Sequence, residues 1–135
     1  MYMYSSNMYQ KEKKKDAENA IIGCGYWGTN IAKVLTKVKK NKIIIYDENR
    51  SNSMILKKRF PDKIIISKSL KYILQNKNIK NVILATPPKK NYRLIKQCIE
   101  NKKNIFVEKP GLKNYSEIIK IKKMKNSKIL MFGYI

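Results

Sequence analysis

The fold of this chain is decided by residues 20–47, which read AIIGCGYWGTNIAKVLTKVKKNKIIIYD. Three apolar residues lead into a cluster of glycines, and a stretch with the apolar spacing of an amphipathic helix follows. A second apolar run, at 43–46, then ends at Asp47. Because short β-branched runs bounded by turns are typical of buried strands, this stretch predicts a strand, a tight turn, a helix and a second strand.

The glycines of the turn have the spacing G-x-G-x-x-G, which suits the pyrophosphate of a dinucleotide. Gly23 allows the tight turn, and Gly25 has no side chain to keep phosphates away from the backbone. Gly28 lets the following helix pack close to the sheet. The free N–H groups and positive dipole end of that helix would then face the phosphates. A turn without a cofactor, and other ligands such as FAD or coenzyme A, are the alternatives at this point.

The acidic residue that ends the second strand favours NAD over NADP. Asp47 lies 19 positions after Gly28, where a carboxylate can accept hydrogen bonds from the adenosine ribose hydroxyls. The same negative charge would repel the 2′-phosphate of NADP. Arg50 is close enough in sequence to keep use of both cofactors open.

The rest of the chain continues the alternation of strands and helices. Further strands are predicted at 64–66, 82–85, 105–107 and 129–132. Six strands alternating with five helices predict an α/β fold, a doubly wound parallel Rossmann sheet with the order 3-2-1-4-5-6. The polar, lysine-rich residues 1–18 predict a disordered tail, which leaves 19–135 as the domain. In the first helix, the apolar spacing predicts that one face packs on the sheet, formed by Trp27, Ile31, Val34, Leu35 and Val38.

Two further motifs follow strands whose carboxyl ends lie at one edge of such a sheet. Ala85-Thr86-Pro87-Pro88 closes the fourth strand, and Glu108-Lys109-Pro110 closes the fifth. The ligand crevice of a doubly wound sheet forms at this edge. Two charges at the end of a buried strand are costly unless they face a cleft or form a pair. Lys109 is therefore a candidate hydrogen-bond donor or general acid/base, and Glu108 a partner for it or for a ribose; ordinary surface turns are the alternative.

The charge of the chain is strongly positive, with 31 basic and 9 acidic residues and a net charge of +22. Only three of the basic residues are arginine, which base-reading and bidentate phosphate sites prefer. The lysines are spread along the chain, so we interpret them as a solvated surface, with polyanion binding as the alternative. We expect adhesion to nucleic acid at low salt but no specific recognition.

The hydropathy pattern bears on where the protein is located, and the cysteine and histidine content limits the catalytic and metal sites that it can contain. No apolar run approaches the roughly 18 residues of a membrane span, and the first sixteen residues lack the apolar centre of a signal peptide. We therefore expect a cytoplasmic protein without membrane contact. Cys24 and Cys98 fall in apolar patterns and are expected in the core, with no metal site. The chain contains no histidine, which excludes a Ser–His–Asp triad and a histidine base within it.

Taken together, the segments IIGCGYWGTNIAKVL, YDEN and ATPPKKNYRLIKQCIENKKNIFVEKP make residues 19–134 resemble the glucose–fructose oxidoreductase / inositol dehydrogenase (Gfo/Idh/MocA) family. The resemblance implies the NAD-binding domain of an oxidoreductase that transfers hydride between nicotinamide and a hydroxyl of a sugar, nucleotide sugar or cyclitol. It implies Lys109 as the catalytic residue. The implied cofactor site consists of Gly23, Gly25, Tyr26, Trp27, Gly28, Asp47, Thr86, Pro87, Pro88, Asn91, Glu108, Lys109 and Pro110.

The chain departs from the family pattern in two respects. Asn91 stands where the family usually has a histidine, and an asparagine can form hydrogen bonds but cannot titrate. Family members also continue into a C-terminal α/β substrate domain with a catalytic histidine and subunit contacts, which these residues lack. We therefore expect cofactor binding without full turnover, with a sugar-type substrate only if a second domain is supplied. The alternatives are a stand-alone NAD-binding or regulatory module completed by a separate substrate-domain chain, or a degenerate remnant.

Overall fold

A computed structural model of the chain describes residues 17–125 and 128–133. The disordered tail predicted for 1–18 therefore lies outside the described residues over 1–16. Its last two residues belong to the fold. Ala17 is buried in the core, and the carbonyl of Glu18 accepts hydrogen bonds from the N–H groups of Lys80 and Asn81, at 2.9 and 3.1 Å. Ala17 and Glu18, which the sequence pattern placed in the tail, thus pack with the domain.

Strands and helices alternate along the whole described chain. The strands are β1 (Asn19–Ile22), β2 (Ile43–Tyr46), β3 (Ile64–Ile66), β4 (Asn81–Leu84), β5 (Asn104–Val107) and β6 (Leu130–Phe132). The helices are α1 (Tyr26–Val38), α2 (Arg50–Arg59), α3 (Leu70–Gln75), α4 (Pro88–Glu100) and α5 (Tyr115–Lys122). The strands form one parallel sheet in the order β3-β2-β1-β4-β5-β6. The prediction of a doubly wound Rossmann sheet is confirmed.

The sheet has an apolar core on each of its faces, because successive strand residues point to opposite sides. Ile21 belongs to the core on the face of α1 and α2, where Leu56 is also buried. Its neighbour Ile22 belongs to the core on the face of α3, α4 and α5, together with Ile95. Burial on both faces explains why the strands are continuous apolar runs without alternation.

A row of asparagines crosses the amino-terminal edge of the sheet. Asn19, Asn81 and Asn104 are in register on β1, β4 and β5. The side-chain amide of Asn81 donates to Oδ1 of Asn19, and that of Asn104 donates to Oδ1 of Asn81, each at 2.9 Å. This ladder explains the polar start of β1, since the side chains satisfy one another where the strand enters the core.

The first helix packs on the sheet through a different face from the one predicted. Its buried residues recur at every fourth position and are small: Gly28, Ala32 and Thr36. Three large residues of the predicted face are exposed instead: Trp27, Val34 and Val38. The prediction was wrong because a glycine and an alanine bring the helix axis closer to the sheet than large side chains would allow. Ile31 and Leu35 lie beside this contact and are partly buried.

Candidate functional site

A cleft of about 580 Å³ lies at the carboxyl ends of β1, β2, β4 and β5. It is flanked by the turns that follow these strands, as expected for the crevice of a doubly wound sheet. Most of the site residues predicted from the sequence line it: Gly23, Gly25, Tyr26, Trp27, Asp47, Thr86, Pro87, Pro88, Glu108, Lys109 and Pro110. The other two, Gly28 and Asn91, are buried beside it.

The three glycines of the turn meet different surroundings. Gly23 has a φ of +95°, and a Cβ there would lie 2.4 Å from the carbonyl oxygen of Ala85. A Cβ on Gly28 would lie 1.8 Å from the carbonyl oxygen of Gly23, so the helix and the turn touch backbone to backbone. A Cβ on Gly25 would meet nothing within 4 Å. The first and third glycines are therefore needed by the fold, whereas Gly25 faces open space in the cleft.

The amino terminus of α1 points its unpaired backbone donors toward this open space. Gly25 is the N-cap residue, and no side chain caps the helix. The N–H groups of the first helical turn have no partners within a helix, and they lie at the positive end of its dipole. Tyr26 and Trp27 flank this end in an edge-to-face pair, with ring centroids 5.2 Å apart. This end of α1 is thus a ready binding site for an anion.

The carboxylate of Asp47 ties the glycine turn to the end of β2. Its Oδ2 accepts the N–H of Cys24 at 2.7 Å, and its Oδ1 accepts the N–H of Asn49 at 2.7 Å. The side-chain amide of Asn52 also donates to Oδ2, at 3.3 Å. Carboxylate oxygens have several acceptor positions, so Asp47 can hold the turn in place and still accept hydrogen bonds from a ligand in the cleft.

Asn91 links two of the loops that border the cleft. Its side chain is fully buried; Oδ1 accepts the hydroxyl of Thr86, and Nδ2 donates to the carbonyl oxygen of Gly111, both at 2.5 Å. Thr86 lies in the loop after β4, and Gly111 follows the Glu108-Lys109-Pro110 turn. An asparagine serves this position because it supplies one acceptor and one donor. Asn91 therefore holds these two loops together.

Glu108 and Lys109 follow β5 at the far side of the cleft from Asp47. The N–H of Glu108 donates to the carbonyl oxygen of Leu84 at 2.9 Å, which continues the β4–β5 ladder into the turn. Oε1 of Glu108 accepts the backbone N–H of Lys109 at 3.2 Å. The side chain of Lys109 is exposed and lines the cleft. The ammonium is therefore available to a ligand at this end.

Comparison with known families identifies the domain. Residues 18–134 match the family model described as GFO_IDH_MocA, oxidoreductase family, NAD-binding Rossmann fold. The chain belongs to the Gfo/Idh/MocA family. It is an NAD(P)-binding Rossmann domain of the oxidoreductase type, as the sequence motifs indicated. A comparison with curated protein sequences gave no match.

Solved structures of similar fold include three with informative ligands or names. Biliverdin reductase from Synechocystis sp. PCC 6803, with biliverdin and NADP⁺, is 17% identical with a TM-score of 0.75, covering 84% of this chain and 36% of that chain. UDP-N-acetylglucosamine 3-dehydrogenase from Acidithiobacillus ferrooxidans is 17% identical with a TM-score of 0.75, and the match covers 85% of this chain and 37% of that chain. GenD2 from gentamicin A biosynthesis, in complex with NAD, is 23% identical with a TM-score of 0.67, and the match covers 78% of this chain and 30% of that chain. The chain thus spans about a third of these chains.

Several cleft residues of this Gfo/Idh/MocA domain escaped the sequence analysis. Glu48 and Lys90 line the cleft and form an ion pair with each other, and Arg93 lines it as well. Arg50, which is close to Asp47 in sequence, begins α2 and is not among the residues that line the cleft. Glu48 could have been found from its position directly after Asp47 at the end of β2. Lys90 and Arg93 lie on α4, and no sequence signal marked them.

Both cysteines are free and buried, as the sequence predicted. Burial raises the pKa of the Cys24 thiol to about 11 and that of Cys98 to about 12. Both thiols therefore stay protonated near neutral pH, and Cys24 contributes its backbone N–H, not a reactive thiolate, to the glycine turn. The helices in the described ranges include none that is both long and apolar enough to span a membrane.

Proposed function

We propose that this domain binds NAD(H) in the cleft and serves an oxidoreductase that acts on a hydroxyl of a sugar, nucleotide sugar or cyclitol. The proposal rests above all on one juxtaposition. The open space at Gly25 adjoins an uncapped helix terminus, and the Asp47 carboxylate follows the next strand. A pyrophosphate needs close approach to backbone donors, and a ribose needs an acceptor for its hydroxyls. Both requirements are met side by side.

The charges in the cleft support a dinucleotide in preference to a polyanion. Three of the nine acidic residues of this basic chain, Asp47, Glu48 and Glu108, line the cleft. A site for nucleic acid would concentrate cations and avoid carboxylates. Carboxylates near a helix terminus suit a ligand whose phosphates alternate with ribose hydroxyls. They also favour NAD(H) over NADP(H), because Asp47 would repel a 2′-phosphate.

The order of the strands supports one orientation of the dinucleotide across the cleft. Asp47 follows β2 and Lys109 follows β5, with β1 and β4 between these strands. If the adenosine binds at Asp47 and the pyrophosphate at the turn after β1, the nicotinamide reaches the turns after β4 and β5. The bound nicotinamide supplies the carbon that accepts or gives hydride. Lys109 is the residue we assign to catalysis, as a donor or proton-transfer group toward a substrate hydroxyl or carbonyl.

The substrate class rests on the family and on its structural neighbours. One neighbour is named as a dehydrogenase of UDP-N-acetylglucosamine, a nucleotide sugar. Nothing in the cleft itself selects one sugar, since the described residues at the β4 and β5 turns offer few polar side chains besides Thr86, Glu108 and Lys109. We therefore propose the substrate only as a class, a secondary alcohol of a sugar or cyclitol.

Replacing Asp47 with asparagine tests the ribose contact. Asparagine keeps an acceptor for the glycine turn but removes the charge. We expect NADH binding to weaken about tenfold, since a hydrogen bond to a charged group contributes about 1.5 kcal/mol. NADPH should lose less or gain, so the preference shifts toward it. Fluorescence titrations of both cofactors measure the shift, with the exposed Asp62→Asn as the charge-matched control. An unchanged preference would remove Asp47 from the ribose site.

Turnover by the 135-residue chain is expected to be negligible. The chain contains no histidine, and Lys109 is the one catalytic group that we place at the cleft. Proton transfer and substrate positioning contribute orders of magnitude to such reactions. Incubation with NAD⁺ and representative sugars or cyclitols should give no NADH above background, in a preparation that binds NADH. Robust NADH formation would show that these residues hold a complete active site.

A further inference from the structure

The ion pair between Glu48 and Lys90 spans the adenosine end of the cleft. Glu48 directly follows Asp47, and Lys90 lies in the first turn of α4, where its ammonium donates to Oε2 of Glu48. Both residues line the cleft. Since β2 and β4 flank β1 in the sheet, the pair crosses the carboxyl end of β1, where the glycine turn begins. Glu48, which adjoins the proposed ribose site, is thus paired with Lys90 from the opposite side of the glycine turn.

The 2′-phosphate of NADP(H) would need a cation at this end. A phosphate monoester carries a charge between about −1.5 and −2 at neutral pH. The basic residues that line the cleft are Lys90, Arg93 and Lys109. Lys109 follows β5, two strands away from β1, whereas Lys90 contacts the residue next to Asp47. Lys90 is thus a lining cation that contacts a residue beside Asp47, and its ammonium is already paired with that carboxylate.

We infer that Glu48 is a specificity-determining residue, which holds Lys90 away from a 2′-phosphate and so adds to the preference of the cleft for NAD(H). Two effects act in the same direction. The ion pair neutralises the cation that would stabilise the phosphate, and the carboxylate itself repels it. Asp47 alone would leave Lys90 free to compensate for the repulsion. The inference rests on the proposed function, because it concerns the same dinucleotide.

The size of the effect follows from the exposure of the pair. The side chains of Lys90 and Glu48 are 35% and 59% exposed, so solvent and salt screen their interaction. Pairs of this kind contribute modestly to binding or stability. We therefore expect a change of several-fold in NADPH affinity, larger at low than at high ionic strength, and not a complete reversal of preference.

The test is a set of cofactor titrations at low ionic strength. Trp27, the only tryptophan of the chain, lines the cleft and reports binding by its fluorescence. NADH and NADPH are titrated into the unchanged chain, Glu48→Gln, Lys90→Met and the double variant. The control is Glu18→Gln, which removes the same charge from a pair with Lys80 (3.1 Å) at the opposite edge of the sheet. This control measures how much NADPH affinity rises simply because the chain has lost one negative charge, since NADPH is more negative than NADH.

We expect Glu48→Gln to tighten NADPH about fivefold and Glu18→Gln to do so less than about twofold. Lys90→Met alone should weaken NADPH several-fold, because it leaves the Glu48 carboxylate unpaired. The double variant, which removes both charges, should stay within about twofold of the unchanged chain. A gain in Glu48→Gln no larger than in the control, or one that persists without Lys90, would overturn the inference. So would a several-fold loss of NADPH affinity in the double variant, since Lys90 would then already serve the phosphate in the unchanged chain.

The same titrations separate this inference from the proposed function. If NADH binds the unchanged chain saturably and Glu48→Gln has no specific effect, only the role of Glu48 is wrong. If neither cofactor binds saturably, the proposed function is wrong and the role of Glu48 is wrong with it. Thermal unfolding followed by circular dichroism verifies that each variant is folded before its affinity is compared.

Discussion

Replacing Gly28 with alanine is expected to destabilise the domain by about 3 kcal/mol or more. The added Cβ would lie 1.8 Å from the carbonyl oxygen of Gly23, far inside van der Waals contact. Neither side of this contact is a flexible side chain, so α1 or the turn after β1 must move. Such a movement would also strain the hydrogen bond from the N–H of Gly23 to the carbonyl of Tyr46, at 2.8 Å. The loss should therefore exceed that of a typical overpacking substitution.

Urea or thermal unfolding measures this loss, which corresponds to a fall in melting temperature of about 10 °C for a domain of this size. The matched control is Gly25→Ala, the same substitution three residues earlier. A Cβ at Gly25 meets nothing within 4 Å, and its φ of −72° suits any residue. We expect this control to cost about 1 kcal/mol or less, since alanine is only a poorer N-cap. Equal losses in the two variants would show that the helix does not pack on the turn as described.

Replacing Gly25 with valine is expected to weaken NADH binding at least about 100-fold while the domain stays folded. The side chain would enter open space in the cleft, directly in front of the backbone donors of α1. A pyrophosphate could then no longer approach these N–H groups, and the hydrogen bonds and dipole contribution would be lost together. The loss is larger than that expected at Asp47, because the phosphates carry the charge of the cofactor.

A graded series makes the result specific. Gly25→Ala should reduce NADH affinity by an intermediate amount and Gly25→Val by the full amount, as the side chain grows into the cleft. Unfolding curves for the three proteins should nearly coincide, apart from the capping effect. Affinity of the valine variant within about threefold of the unchanged chain would contradict a pyrophosphate site at this turn.

The fold was readable from the sequence because its signals are local. Buried parallel strands are continuous apolar runs, and turns and caps mark where helices begin. Ser69 and Asn114 are the N-caps of α3 and α5, and they accept hydrogen bonds from the N–H groups of Tyr72 and Glu117, at 3.1 Å each. The strand order followed from the short, right-handed connections of such folds. These features need no knowledge of which side chains meet.

Features that depend on packing between distant segments were missed. The face of α1 was misassigned because a pattern of large apolar residues cannot show that a helix approaches a sheet through Gly28 and Ala32. The asparagine ladder needs the register of three strands, and the pair of Glu48 and Lys90 joins residues 42 positions apart. The burial of Asn91 between two loops is likewise visible only in three dimensions, and its contact with the cofactor stays a prediction.

The site motifs predicted which chemical groups lie at the cleft, but not the contacts that those groups make with one another. The acid at position 47 was expected to meet a ribose, and its hydrogen bond to the N–H of Cys24 shows that it also shapes the glycine turn. The sequence could not reveal this second role, because a backbone donor has no side-chain signature. Because Asp47 holds the glycine turn, a substitution that tests its proposed ribose contact needs asparagine in place of alanine.

A crystal structure of the domain grown with NAD⁺ tests the central claim most directly. The account predicts pyrophosphate oxygens within about 3 Å of the N–H groups at the start of α1. It also predicts adenosine ribose hydroxyls on the carboxylate of Asp47 and the nicotinamide beside the turn that contains Lys109. A dinucleotide bound elsewhere on this basic surface, with the space in front of Gly25 empty, would contradict it.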